Sequence, residues 1–183
     1  MSGSEGLFQW FALRVTYQRE LIASAALDKM GVENYVPSRT VTVKLPSGRV
    51  VRRRRALVHN YIFVHSDRES ISRIKQTSLP YLRFVMVASE GETRPMVVPD
   101  VQMQSFIRVT ASEDEQVALL SEESVDLRCG MRVRVTGGPF QGVEGILTKV
   151  KGVLRRKVVV RIEGVAIVSA PTLDSRLIEP IEE

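Results

Sequence analysis

Gly130-Met131-Arg132-Val133-Arg134-Val135-Thr136-Gly137-Gly138-Pro139-Phe140-Gln141-Gly142-Val143-Glu144-Gly145 is the stretch that decides how the C-terminal part of this chain is read. Val133 and Val135 alternate with Arg132 and Arg134, the period of a half-buried strand. Thr136-Gly137-Gly138-Pro139-Phe140 then demands a sharp turn. Glycine supplies backbone angles closed to other residues, and proline fixes the next φ. Gly142 and Gly145 allow the returning strand to bend hard. Beyond it come GILTKV, KVVVRI and VAIVSA, each a short apolar run separated by glycine turns. Four or five such strands in ~55 residues predict a small β-barrel over residues 128–183.

Upstream the texture is different. Residues 7–15 (LFQWFALRV) read as a strand rich in aromatic and branched side chains. Glu20 to Lys29 is composed of good helix formers, with Leu21, Ala25 and Asp28 at helical spacing and Gly31 at the stop position. Glu33 to Val36 is a short strand ended by Pro37. Residues 39–57 predict a β-hairpin: Val41, Val43 and Leu45 alternate with polar residues, Pro46-Ser47-Gly48 turns, and Arg49 to Leu57 returns. Asn60 to His65 is a compact apolar strand, Ser66 or Asp67 caps a helix over 67–76, and Leu82 to Val87 is another strand. Pro99-Asp100 opens a helix to about Val109. Helices over an antiparallel sheet predict an α+β sandwich of the split βαβ kind over residues 7–110.

Charge divides the chain into three. Residues 1–110 carry +7, residues 111–127 carry −6 with no Lys or Arg, and residues 128–183 carry +4, for a net charge of +5. Two basic modules joined by an acidic linker with local helix is the resulting picture, and basic modules point to polyanions. The strongest charge feature lies between Arg39 and Arg55. Seven bases (Arg39, Lys44, Arg49, Arg52, Arg53, Arg54 and Arg55) occur there without an acid. Consecutive arginines on a strand point to both faces in turn, so the hairpin is charged all round. Such an arm suits a nucleic-acid phosphate backbone, and the lack of interleaved aromatics argues against base stacking. The bland alternative is a solvated hairpin that discourages edge pairing.

Several function classes are disfavoured. The single cysteine, Cys129, makes no disulfide framework, and two histidines make a protein zinc site improbable. No catalytic constellation is apparent: His59 and His65 flank an apolar strand, and Gly137-Gly138 does not open a helix with Lys-Ser/Thr as a phosphate-binding loop would. The expectation is a non-enzyme without cofactor or metal. The start of the chain, Met1 to Gly6, lacks a basic, apolar leader, and no apolar run approaches the ~18 residues of a membrane span. A cytoplasmic protein with no membrane partner is expected.

The glycine-rich stretch 130–145 resembles the KOW motif. Gln9-Trp10-Phe11-Ala12-Leu13-Arg14-Val15, with Tyr61-Ile62-Phe63-Val64, resembles the NGN domain of the NusG transcription elongation factors. Arg14-Val15-Thr16-Tyr17 and Val58-His59-Asn60 are most similar to the UpxY subgroup, paralogs that antiterminate transcription of capsular and other surface-polysaccharide operons in Bacteroides-type bacteria. General NusG proteins usually carry Pro-Gly before the tyrosine, where this chain has His59-Asn60. The resemblance implies an NGN domain (7–110), the acidic linker (111–127) and an SH3-like KOW barrel (128–183).

It also implies partners. The open face of an NGN sheet presents an apolar patch to the clamp of RNA polymerase, and the matching positions are Val58, Tyr61 and Phe63 with Arg14 nearby. The basic arm would then meet nucleic acid of the elongation complex. In general NusG the KOW barrel binds the termination factor Rho and a small-subunit ribosomal protein through its turns and an Ile-Phe pair. Here Phe140 matches the turn aromatic, Ile162 the isoleucine and Glu163 the phenylalanine, which implies that binding in the Rho mode is weakened; a small-subunit ribosomal protein is the other partner the resemblance offers. The function implied is transcription antitermination. The alternatives are a general NusG-type elongation factor or a standalone RNA- or ribosome-binding KOW module.

Overall fold

A computed structural model describes residues 7–89 and 91–182. The start of the chain, read above for a leader, lies outside the described residues. The chain divides into two compact units, residues 1–37 with 58–100, and residues 38–57 with 101–183. Among the described residues no helix is long and apolar enough to cross a membrane.

The first unit is built on β1 (Gln9–Val15), α1 (Glu20–Lys29) and β2 (Glu33–Tyr35). Two strands of the hairpin, β3 (Ser38–Lys44) and β4 (Val50–Ala56), follow in sequence. The chain then returns with β5 (Tyr61–Ser66), α2 (Arg68–Thr77), β6 (Leu82–Phe84), β7 (Met86–Ser89), β8 (Glu92–Pro95) and β9 (Val97–Val98). Its sheet has the order β2-β5-β1-β6, with β9 also paired to β1, all antiparallel. Trp10, Phe11, Leu13, Ile62, Phe63 and Val64 are buried, so both faces of the two central strands are covered. Each fully buried side chain of this size contributes ~1.5–3 kcal/mol.

Asp67 caps α2 as expected: its carboxylate accepts from the Ser70 N–H at 2.8 Å, which holds its pKa below the ordinary value. In α1 the buried face is Glu20, Ala23 and Leu27, not the Leu21, Ala25, Asp28 row expected from spacing. The expected single strand 82–87 is instead β6 followed by a separate two-stranded hairpin, β7–β8, which turns near Gly91 at φ +83°.

The second unit contains the β3–β4 hairpin, α3 (Asp100–Thr110) from Val101 onward, and a six-stranded antiparallel sheet. The sheet strands are β10 (Ala118–Leu120), β11 (Met131–Val135), β12 (Glu144–Thr148), β13 (Lys157–Ile162), β14 (Ala166–Ser169) and β15 (Ile178–Pro180), in the order β10-β14-β13-β12-β11-β15. Five of these come from the glycine-rich C-terminal part. The sixth, β10, comes from the segment expected to be an acidic linker with local helix. Its Val117 is buried, and Leu120, Val125 and Leu127 pack on a core of Val150, Val159 and Ile167. Only a short 3-10 turn, Glu122–Ser124, is helical there. The acids occupy the solvent side of a segment whose few apolar residues are enough to add a strand.

The edges of the two units do not coincide with boundaries at 110 and 127. The hairpin is fastened by Arg39, which donates to the Val117 carbonyl at 2.9 Å. α3 meets the sheet at Ser105, whose hydroxyl accepts from the Glu144 N–H at 2.9 Å, at Gln102, which donates to the Arg161 carbonyl, and at Arg108, which donates to the Gln141 carbonyl. Gly145 has no room for a side chain: a Cβ would lie 2.6 Å from the Val159 carbonyl oxygen. That close approach, in addition to bending, accounts for glycine at this position.

Candidate functional site

Three groups of residues carry the expected site. The first lies on β1 and β5 of the first unit. Arg14 pairs with Tyr61 across the ladder, and Ala12 with Phe63, so Arg14, Tyr61, Ala12 and Phe63 share one sheet face. The Arg14 guanidinium sits over the Tyr61 ring, 5.7 Å from its centroid, with Nε and Nη2 each 3.4 Å from the phenol oxygen. Arg14 is exposed and Tyr61 half-buried. Phe63 is fully buried and Val58 is 4% exposed. The expected apolar surface made by these side chains is thereby corrected: Phe63 and Val58 are core, and Arg14 with the outer part of Tyr61 is what reaches solvent. The physical reason is that Tyr61-Ile62-Phe63-Val64 is a continuous apolar run, the pattern of a strand covered on both faces, and Ile62, Phe63 and Val64 are all buried.

Next to this pair the structure adds a residue that was not expected. Arg83 on β6 stands directly opposite Arg14. Arg83 is exposed and donates to the Leu82 carbonyl at 2.9 Å and to the Pro80 carbonyl. The signal for it in the sequence is only a base in a short strand.

The corner that ends β1 holds the described non-glycine residues with left-handed backbone: Tyr17 at φ +61°, Gln18 at φ +51° and Asn60 at φ +66°. Asn60 ties the corner together. Its carbonyl accepts from the Val15 N–H at 2.9 Å, its side-chain oxygen accepts from the Gln18 N–H at 3.3 Å, and its own N–H points to Glu20 Oε1 at 3.4 Å. Glu20 is buried, with its other oxygen unpartnered among the described residues. The left-handed angle of Asn60 is one that asparagine, like glycine, tolerates. His59 Nδ1 lies 3.4 Å from Glu20, and His65 Nδ1 lies 2.7 Å from Glu33 while its ring stacks on Trp10 at 5.0 Å. Both histidines therefore have structural partners. Arg19 lies between the rings of Tyr17 and Tyr81, 5.4 and 5.3 Å from their centroids, another exposed pairing with no period to announce it.

The second group is the basic arm. The hairpin register sets Arg39 opposite Arg55, Thr40 opposite Arg54, Val41 opposite Arg53 and Thr42 opposite Arg52. Arg53 and Arg55 thus share one face and Arg52 and Arg54 the other, as expected from consecutive arginines. Arg52 to Arg55 and Lys44 are exposed, and so is Arg49 in the turn. Arg54 Nε donates to the Ser38 hydroxyl at 2.5 Å. Arg39 is the exception: half-buried and committed to the Val117 carbonyl, it fastens the arm rather than charging it.

The third group is in the six-stranded sheet. Phe140 is 6% exposed and Ile162 1%, so both expected partner contacts are core side chains. Glu163 is exposed and ion-paired to Arg161 at 3.1 Å. Among the described residues there is no cluster of His, Cys, Asp and Glu that would hold a metal.

The family model described as "Transcription termination factor nusG" matches residues 8–107. Among solved structures, one titled "Domain interaction in Thermotoga maritima NusG" is similar at 21% sequence identity and a TM-score of 0.44, covering 96% of this chain and 98% of that one. No curated protein matches.

Proposed function

Because the chain belongs to the NusG family of non-enzymatic transcription factors, we propose that it binds RNA polymerase as an antiterminator of the UpxY kind, promoting processive transcription of long polysaccharide operons. The observation that carries this reading is the exposed Arg14–Tyr61 pair on the face where the family meets the polymerase clamp. Phe63 and Val58 shape that surface from beneath. The His59-Asn60 pair, where general NusG proteins usually carry Pro-Gly, supports a specialised paralog rather than a general factor.

The mechanism is that of a brace without chemistry. Bound across the cleft, the protein favours the closed, elongating polymerase over paused forms, and it shifts that equilibrium only by its difference in affinity for the two. Lys44, Arg49 and Arg52 to Arg55 contact nucleic-acid backbone of the elongation complex through the hairpin. The C-terminal sheet module recruits a small-subunit ribosomal protein at raised effective concentration and does not recruit Rho.

The test is single-round transcription in vitro across a pause and a terminator, with and without the protein. Increased read-through is the expected result. Polymerase that binds the protein yet pauses and terminates unchanged would sink the antiterminator reading.

A further inference from the structure

We propose that the cavity beneath the β12–β13 loop of the six-stranded sheet binds a small molecule that carries a phosphate monoester on an apolar body. All of its lining residues belong to the second unit, and the site does not depend on a contact with polymerase. Loops of an antiparallel meander alternate between its ends, so this loop lies at the end away from the turns that carry Phe140 and Glu163.

The cavity measures about 630 Å³, a size that takes a whole small ligand rather than a single ion. Its wall has two parts. Arg155, Arg156, Thr172 and Ser175 supply hydrogen-bond donors, and Leu147, Leu173 and Ile178 form an apolar floor. The four donors are exposed and the floor is half-buried, so both parts are open to a ligand. Asp174 also lines the cavity, but Arg176 holds that carboxylate at 2.5 Å, and the pairing both offsets its charge and keeps its pKa low. Glu179, which follows Ile178, lies 3.7 Å from Arg134.

A buried cation stands behind the wall. Lys157 is 7% exposed. Its ammonium donates to the Thr172 hydroxyl at 2.8 Å and to the Gln116 side-chain oxygen at 3.3 Å, both neutral. Among the described residues no carboxylate lies within ion-pair distance of it. Burial lowers its pKa, and Asp114 only partly opposes this. An ammonium paired only with neutral oxygens is under-compensated, and an anion in the adjoining cavity would relieve it. Thr172 relays the effect. Its oxygen accepts from Lys157, which leaves the hydroxyl proton to donate to an oxygen in the cavity.

These donors select the head group. Two guanidinium forks and two hydroxyls outnumber the two oxygens of a carboxylate. A phosphate monoester brings three acceptor oxygens and nearly two charges. The floor selects the rest of the molecule. Inorganic phosphate would leave Leu147, Leu173 and Ile178 wet, whereas an apolar body covers them. A nucleic-acid strand matches less well. Its phosphodiester has one charge and two free oxygens, and the described wall offers no aromatic to a base.

The test titrates the full chain with phenyl phosphate, read by calorimetry and by backbone amide resonances. Shifts at Thr172 to Ser175 are expected, with affinity about tenfold above that for inorganic phosphate because the ring covers the floor. Arg155→Ser with Arg156→Ser should weaken phenyl phosphate binding about tenfold. Thr172→Val, checked for an unchanged melting curve, should weaken it several-fold, and serine at Arg52 to Arg55 should leave it unchanged. Vesicles of phosphatidylcholine with phosphatidic acid name the source. Cosedimentation that requires Arg155 and Arg156 assigns the monoester to a lipid, and amide shifts without cosedimentation assign it to a soluble metabolite; both support the site. Unchanged affinity in the Arg155/Arg156 variant overturns the site, and equal affinity for phenyl and inorganic phosphate overturns the apolar body. Shifts of the same amides by single-stranded RNA or poly-glutamate, with none from phenyl phosphate, overturn the proposal too, since the occupant is then a macromolecule.

Discussion

Arg14 and Arg83 face each other as a directly opposed pair on adjacent antiparallel strands, β1 and β6. Neither has a carboxylate within ion-pair distance among the described residues. Opposed like charges on a sheet cost on the order of 0.5 kcal/mol, and the stacking of Arg14 on Tyr61 offsets a similar amount. The pair therefore adds little to folding, which is what a surface kept for a partner looks like. Arg14→Leu is expected to leave the unfolding midpoint unchanged or slightly raised while weakening binding to purified core polymerase about tenfold. Arg14→Lys should recover only part of it, because a lysine cannot present the planar fork. Normal polymerase binding by Arg14→Leu removes this face from the interface.

The hairpin arm separates nucleic acid from protein as its target. With Arg52 and Arg54 on one face and Arg53 and Arg55 on the other, no single flat protein surface meets all four. Serine at all four positions should weaken association with a scaffolded elongation complex more than with polymerase alone, and the loss should shrink as salt is raised. Equal losses on both would move the arm to a protein interface.

Asn60 provides a test of backbone strain. Its φ of +66° is open to glycine and asparagine and closed to β-branched residues. Asn60→Gly should stay within about 1 kcal/mol of the parent, losing the bond to the Gln18 N–H but no strain. Asn60→Val should cost about 1–3 kcal/mol. Urea unfolding midpoints measure both, and equal midpoints would mean that the left-handed corner is not what selects the residue.

Legibility in the sequence followed the strength of local signals. The β3–β4 hairpin was readable because Val41 and Val43 alternate and Pro46-Ser47-Gly48 permits one turn. The start of α2 was readable because Asp67 precedes it as a cap. β10 was not, since Ala118-Leu119-Leu120 sits among six acids and gains its order from pairing with the distant β14. Charge composition describes a segment's exposed side and is silent about such pairing. The site was legible as a set of positions but not in its exposure. Val58, Phe63, Phe140 and Ile162 all look like contact residues in the chain, and all are core in the fold. Arg83 was invisible as a candidate because its place opposite Arg14 arises from pairing across the sheet, which has no spacing.

Glu163 gives the sharpest prediction about the C-terminal module. It follows β13 at the turn into β14, where the family resemblance places the phenylalanine used in binding Rho. Its carboxylate is exposed and is held by Arg161 at 3.1 Å, with Glu122 also 3.8 Å from the same guanidinium. An aromatic anchor at an interface acts by burying apolar area. A carboxylate in its place offers none, and covering it would strip water from the charge while also breaking the pair with Arg161. The full chain should therefore fail to retain Rho in a pull-down at physiological salt. Glu163→Phe should gain measurable retention, because Phe140 and Ile162 already supply the packed turn and strand behind it. Glu163→Gln separates the two causes. It removes the charge without adding a ring, so gain with phenylalanine and not with glutamine assigns the effect to lost apolar contact. Tight retention of Rho by the unmodified chain would falsify the prediction, and with it the view that this module avoids the terminator.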